Sequence, residues 1–160
     1  MDQSALLPVI ESLLRVLLGL RVLHSGISNV IRWPNPTKNT RLIFPFGVTF
    51  FAVVAVFLMV AGGLGLALGF QTRLAAAMIA LFLVPALKIQ FYWLRELPAV
   101  IEEVNRAIPQ EPINGKFRLL AKQAFHSHET GWQNNLVLLF AALFFALRGS
   151  VAFGLDNLLK

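Results

Sequence analysis

The sequence predicts an all-α integral membrane protein, a bundle of four transmembrane helices with an amphipathic surface segment between helices 3 and 4. Two observations carry this prediction. Of 160 residues, 57% are hydrophobic and only 14% are charged, which lies outside the usual range of soluble domains. In addition, four separate apolar stretches each approach the roughly 20 residues that a helix needs to cross a bilayer. Residues 1–160 are therefore expected to form a single membrane domain.

The second, third and fourth predicted spans are simple apolar stretches. The second covers about residues 46–69 and holds no charged residue. The third covers about residues 74–94 and is interrupted only by Lys88, which lies near its end and can snorkel to the interface. The fourth covers about residues 134–155 and is interrupted only by Arg148. All three fit the length of a transmembrane helix.

The first predicted span, about residues 6–31, differs because it carries several polar residues. At helical spacing they fall on one face, which we call the polar stripe: Glu11, Arg15, Arg21, Ser25, Ser28, Asn29 and Arg32. An ionised arginine is costly in lipid unless it faces protein, water or an anion. We therefore expect Arg15 and Arg21 to face the interior of the bundle.

Two interpretations of these charges stay open. In the structural one, Glu11 pairs with Arg15, which follows it by four residues on the same helix face. In the functional one, Arg15, Arg21, His24 and Lys88 bind the headgroup of a quinone or another anion.

The segment of about residues 98–126 is too charged to cross a bilayer, yet it is patterned for helices. Its apolar residues recur at helical spacing, in a first piece at Val100, Ile101, Val104, Ala107 and Ile108, and in a second at Phe117, Leu120, Ala121, Ala124 and Phe125. Pro109 and Pro112 separate the two pieces. This pattern predicts an amphipathic segment that lies on the membrane surface.

Other patterns indicate packing or exclude chemistry. Ala61, Gly65 and Gly69 form a small-residue ridge that favours close helix packing. The sequence has no cysteine, and His126 and His128, two residues apart, do not share a helix face, so we expect neither a metal site nor catalytic residues. The net charge of +6 is scattered, which favours lipid headgroups over nucleic acid as the partner.

The distribution of charged and aromatic residues predicts an orientation. The two longer loops carry most of the Lys and Arg residues, so the positive-inside rule places them in the cytoplasm. Trp33, Tyr92, Trp93 and Trp132 fall at helix ends on the same side, as an aromatic belt would. We therefore expect a multi-pass protein of the inner (plasma) membrane with both termini outside the cytoplasm.

Three short segments carry a resemblance to a known family. They are Leu13-Leu14-Arg15-Val16-Leu17-Leu18-Gly19-Leu20 with His24-Ser25-Gly26, then Gly62-Gly63 with Gly69-Phe70-Gln71-Thr72-Arg73-Leu74-Ala75-Ala76, and finally Asn135-Leu136-Val137-Leu138-Leu139. Together they resemble the DoxX family of small four-span membrane proteins. The most specific motif is G-x-x-T-R-x-A-A, in which Gly69 is expected to end one helix, Thr72 to cap the next and Arg73 to mark the interface.

The resemblance implies a function as well as a fold. The family includes a membrane subunit of archaeal thiosulfate:quinone oxidoreductase, which suggests a quinone-linked redox setting. We expect the isolated chain to hold no redox centre, to bind no cofactor covalently, and to associate with quinone, lipids and other membrane subunits. This sequence departs from the family pattern at two positions. Many members carry an acidic residue where this chain has Met59 and a lysine where it has Asn29.

Two further hypotheses remain beside the quinone-linked one. The chain could be a non-catalytic scaffold or assembly subunit of a larger respiratory or photosynthetic membrane complex, since it lacks cysteine and any cofactor motif. A small-molecule transporter ranks last, because the inverted repeats and broken helix pairs of transporters are absent from the sequence.

Overall fold

The computed structural model describes residues 3–107, 113–150 and 152–159, and every regular element within them is an α-helix. This confirms the all-α class. The helices are α1 (Gln3–Ile31), α2 (Asn35–Arg41), α3 (Val48–Leu68), α4 (Thr72–Ala107), α5 (Ile113–Arg148) and α6 (Leu155–Leu158).

Three of the described helices are long and apolar enough to cross a membrane. They are Val48–Leu68, Thr72–Ala107 and the part of α5 from Gly115 to Arg148. The α1 helix is not among them, and it is the helix that carries the charges of the polar stripe. Length and hydropathy therefore support three spans.

The four long helices pack as a row. The α1 helix packs against α3, α3 against α4, and α4 against α5, whereas α1 and α5 barely touch. The buried core nevertheless takes side chains from all four, among them Leu18 and Val22 of α1, Met59 and Leu66 of α3, Ile79 and Leu83 of α4, and Ala142 and Phe145 of α5. The row is thus curved, so that its two outer helices flank a groove.

Among the described helical glycines, those that approach the backbone of another helix most closely are Gly19 and Gly63, which form a glycine seam between α1 and α3. A Cβ atom at Gly63 would lie 2.6 Å from the backbone nitrogen of Leu23 and 2.9 Å from the carbonyl oxygen of Gly19. A Cβ at Gly19 would lie 2.5 Å from the backbone nitrogen of Ala67. Only glycine allows this approach, because a Cβ on either residue would overlap the backbone of the other helix.

The three residues of the predicted ridge, Ala61, Gly65 and Gly69, do not share one helix interface. Gly65 faces α4, where an added Cβ would lie 3.0 Å from the Cβ of Ala75. Gly69 ends α3 in the left-handed conformation, with φ 65°, and lies against the guanidinium of Arg15. Ala61 is half-buried on α3. The closest approach thus uses Gly19 and Gly63 instead of the predicted ridge.

The prediction of a separate surface segment is wrong for the described residues. Residues 98–107 continue α4, and residues 113–126 begin α5, while the break predicted at Pro109 and Pro112 lies outside the described residues. These two segments pack on each other as an antiparallel helical hairpin, with a hydrogen bond from Nε of Arg118 to Oδ1 of Asn105 at 3.1 Å, while Val100 and Leu120 of the predicted apolar faces are exposed. The predicted fourth span also ends earlier, at Arg148, because Gly149 follows with φ 80°.

This hairpin is longer than a bilayer is thick. Both α4 and α5 have 36 residues, and about 1.5 Å per residue gives a length of about 54 Å against a hydrocarbon core of about 30 Å. Aromatic side chains cluster partway along it: Phe91 stacks on Trp132 at 5.5 Å, and Trp93 on His128 at 5.9 Å. Beyond Trp93, α4 continues for about 20 Å to its end at Ala107.

Candidate functional site

Arg15 lies at the end of the bundle where α3 turns into α4. Its side chain is 2% exposed. Its Nη1 donates to the carbonyl oxygen of Leu66 at 3.1 Å, and its Nη2 to the carbonyl oxygen of Phe153 at 2.8 Å. Leu66 lies in the last turn of α3, where a positive charge is favourable, and its carbonyl also accepts from the backbone N–H of Gly69 at 3.2 Å. Arg15 therefore caps α3 and binds the C-terminal tail, residues 152–159.

Asp156 in this tail caps the next helix. Its Oδ1 accepts a hydrogen bond from the backbone N–H of Gln71 at 2.7 Å, and its Oδ2 from that of Thr72 at 2.9 Å. Its own N–H donates to the carbonyl oxygen of Gly69 at 2.8 Å. Thr72 was the predicted cap, but Gln71 holds that position, since its carbonyl accepts the first helical bond, from Ala75 at 2.9 Å. We call the contacts of Arg15 and Asp156 the terminal clamp.

Glu11 does not pair with Arg15, which corrects the structural interpretation of the polar stripe. Its Oε1 lies 2.8 Å from the Nε of Arg148 on α5, in an ion pair whose N–H is not aligned for a hydrogen bond. The guanidinium of Arg15 is instead directed at α3 and the tail. Ser12 adds a hydrogen bond to the carbonyl oxygen of Ala152 at 3.0 Å. These contacts join α1 to the end of α5 and to the tail.

A groove of about 890 Å³ opens between α1 and α5. Most of its lining is apolar, and its polar members are Arg21 and His24 on α1 and Asn134 on α5. The apolar members are Leu14, Leu17, Leu18, Leu20, Val137, Leu138, Ala141, Phe144 and Phe145. We call it the α1–α5 groove.

The polar residues gather at one end of the α1–α5 groove. The ion pair of Glu11 with Arg148 shows that α1 and α5 run antiparallel, and it closes the opposite end. The later residues of α1 therefore lie level with the earlier residues of α5. Among the described residues, none accepts or donates a hydrogen bond or forms an ion pair with the side chains of Arg21, His24 or Asn134. The polar end of the groove is thus rich in unused donors.

The structure brings together two of the four residues predicted to bind a quinone or anion. Arg21 and His24 line the groove, Arg15 belongs to the terminal clamp, and Lys88 on α4 is not among the lining residues. Sequence reasoning missed Asn134. The available signal was its place in a polar run, Gln133-Asn134-Asn135, just before an apolar stretch, but nothing in that pattern showed which helix it would face.

The two departures from the DoxX pattern are neighbours in space. Asn29 on α1 donates from Nδ2 to the sulfur of Met59 on α3 at 3.4 Å, and Met59 is 3% exposed. A lysine at the first position and a carboxylate at the second would therefore face each other. This chain has a neutral pair where those relatives would have opposite charges.

The histidines of α5 have partners of their own. His128 Nδ1 lies 2.6 Å from Oε1 of Gln90, and His126 Nδ1 lies 3.3 Å from Oε2 of Glu129. Within the described ranges, no group of three metal-ligating side chains is found.

The terminal clamp makes stability depend on pH. Partial burial alone would raise the pKa of Asp156, but hydrogen bonds from Thr72 and Gln71 and the charge of Arg15 outweigh it and hold that pKa below its ordinary value. Stability from a lowered pKa is present above the unfolded-state value of about 4 and is lost as the pH falls through the folded-state pKa.

We therefore expect the melting temperature in detergent to fall as the pH is lowered from 6 to 3. Asp156→Asn keeps one acceptor oxygen but loses the second hydrogen bond and the charge beside Arg15, so it should cost about 1 kcal/mol at neutral pH and should flatten the acid response. Glu103→Gln, at an exposed position on α4, is the control and should melt like the wild type. An acid response of Asp156→Asn equal to that of the wild type would contradict this assignment.

The contact between residues 29 and 59 predicts a coupled pair. Asn29→Lys or Met59→Glu alone places an uncompensated charge in the interface of α1 and α3, so each should lower the free energy of unfolding by about 3 kcal/mol or more. The double variant should recover much of that loss, because the two charges meet. Melting curves of the four proteins test this, and simple additivity of the two losses would refute it.

Comparison with known proteins identifies the family. The sequence profile of the DoxX family matches residues 10–93, more than half of the chain. The matched region runs from α1 into α4 and includes Arg15 and the turn at Gly69, whereas Asp156 and α5 lie outside it. No curated protein and no solved structure matches the chain. On the strength of the profile match, which agrees with the motifs read from the sequence, this membrane protein belongs to the DoxX family.

Proposed function

We propose that this chain is the integral membrane subunit of a quinone-linked redox system, that it holds no redox centre of its own, and that a quinone binds in the α1–α5 groove. The observation that carries the proposal is the groove itself, an apolar channel with Arg21 and His24 at one end. Electron transfer then belongs to the bound quinone and to a partner subunit.

The proposal includes α1 as a fourth transmembrane helix. The glycine seam supports this, because it holds α1 against α3, and α3 is itself apolar and long enough to span. Farther along α1, Gly26 packs against Val60 of α3, where an added Cβ would lie 2.9 Å from Cγ2. A helix packed along a membrane span lies at the same depth. Two of its three charges are engaged, Glu11 with Arg148 and Arg15 in the terminal clamp.

Arg21 is the remaining charge, and its depth suits a lipid-soluble ligand. It lies ten residues from both Glu11 and Ile31, about 15 Å from either end of that segment. A polar group at such a depth is costly without a partner. A quinone ring dissolves in the hydrocarbon core and presents carbonyl oxygens to donors, while its tail matches the leucine and phenylalanine side chains of the groove.

Positive charge in a low-dielectric groove also supports redox chemistry. When a quinone gains an electron, negative charge develops on its oxygens, and a guanidinium placed beforehand stabilises that charge. The role of this chain would be to bind and orient the quinone. In the proposed orientation both termini lie outside the cytoplasm of a plasma membrane, and the projecting hairpin of α4 and α5 lies inside.

That hairpin favours a second candidate function, a scaffold for a larger membrane complex. It projects farther than anchoring in the bilayer requires, and Leu119 and Leu120 on it are 60% and 64% exposed. Exposed apolar side chains outside a membrane are typical of contact surfaces. A subunit that only scaffolds would need this surface and would not need Arg21.

Removing the charge of Arg21 tests the first proposal. In lipid nanodiscs, Arg21→Leu should weaken binding of decylubiquinone by tenfold or more, since a charged hydrogen bond is worth about 1.5 to 3 kcal/mol. Arg41→Leu, on exposed α2 outside the groove, is the control and should bind like the wild type. If Arg21→Leu folds and binds the quinone normally, the quinone proposal fails. Normal co-purification of membrane subunits with that variant would then favour the scaffold.

A further inference from the structure

The two walls of the α1–α5 groove offer hydrogen-bond donors from opposite sides. Arg21 and His24 lie on α1, and Asn134 lies on α5. Because these helices barely touch beyond the end closed by Glu11 and Arg148, the donors of the two walls do not satisfy one another. A ligand between the walls can meet both at once.

Asn134 differs from the other polar residues near it in the direction it faces. Gln133 carries the same carboxamide group one residue earlier and is exposed like Asn134, but it does not line the groove. Successive residues of a helix point about 100° apart, so only one of the two can face α1. The position of Asn134 is therefore a property of the groove and not of a generally polar helix end.

The positions of these hydrogen-bond donors on the two walls determine which ligands the groove favours. A molecule with one acceptor oxygen can be satisfied by Arg21 or His24 alone and gains nothing from Asn134. A ring with acceptor oxygens on opposite edges can accept from α1 with one oxygen and from Asn134 with the other, while its tail lies among Leu17, Phe144 and the other apolar residues.

We infer that Asn134 is a specificity-determining residue of the α1–α5 groove, and that with Arg21 and His24 it selects a tailed ring with acceptor oxygens on opposite edges over a tailed ligand with one acceptor. This inference rests on the proposed function, because it concerns the same groove. It adds the second point of recognition and the geometry that the ligand must have.

The test compares two ligands on the wild type and three variants in nanodiscs of neutral phospholipid. The ligands are decylubiquinone, with two ring carbonyls, and phenyl decyl ketone, with one. Asn134→Ala should weaken quinone binding about tenfold, as loss of one buried hydrogen bond does, and leave ketone binding unchanged. Gln133→Ala should leave both unchanged. Asn134→Gln, which keeps the amide, should bind the quinone more tightly than Asn134→Ala.

Each contrary result has one meaning. Quinone binding by Asn134→Ala that equals that of the wild type, or an equal loss of both ligands, overturns the role of Asn134 in specificity. If Arg21→Leu loses the quinone while Asn134→Ala keeps it, the proposed function stands and this inference alone falls. If the wild type binds no quinone, both fall together.

Discussion

The structure depends on how the α1 helix accommodates the buried charge of Arg15. An ionised guanidinium buried without partners would cost several kcal/mol. Here it donates to carbonyls of Leu66 and Phe153, which are 51 and 138 residues away in the chain, and it lies in the field of Asp156. The carbonyl of Leu66 lies in the last turn of α3 and that of Phe153 in the tail, so one side chain joins α1 to both.

This arrangement separates the roles of two arginines on one helix face. Arg15 is engaged by protein groups at the end of the bundle, together with Glu11 and its partner Arg148. Arg21 lies six residues farther along α1, beyond those contacts, where α1 and α5 have parted. The contacts of Glu11 and Arg15 hold one end of the bundle closed. Arg21, toward the other end, is therefore the charged residue of α1 that is left to bind a ligand.

Much of the fold could be predicted from the sequence, because apolar stretches, prolines and the glycine at residue 69 act locally. The long helices and the turn after α3 are of this kind. Pairings between distant elements could not. Local spacing predicts a pair of Glu11 with Arg15, but the partner of Glu11 is Arg148. It also predicts that Thr72 caps α4, whereas the capping carboxylate belongs to Asp156, from a distant part of the chain. Periodicity describes one helix at a time, so it could neither show that α4 and α5 pack on each other as a hairpin nor place Asn134 opposite Arg21.

The most direct test of the central claim is the distance between the turn and the tail. The sequence has no cysteine, so spin labels can be attached at Phe70→Cys and Leu158→Cys, both exposed positions, and their separation measured by pulsed electron resonance. The terminal clamp predicts one short, narrow distance that becomes long and broad when Arg15→Leu is added, with helix content retained. An unchanged distance in that variant would show that the charge of Arg15 does not hold the structure together.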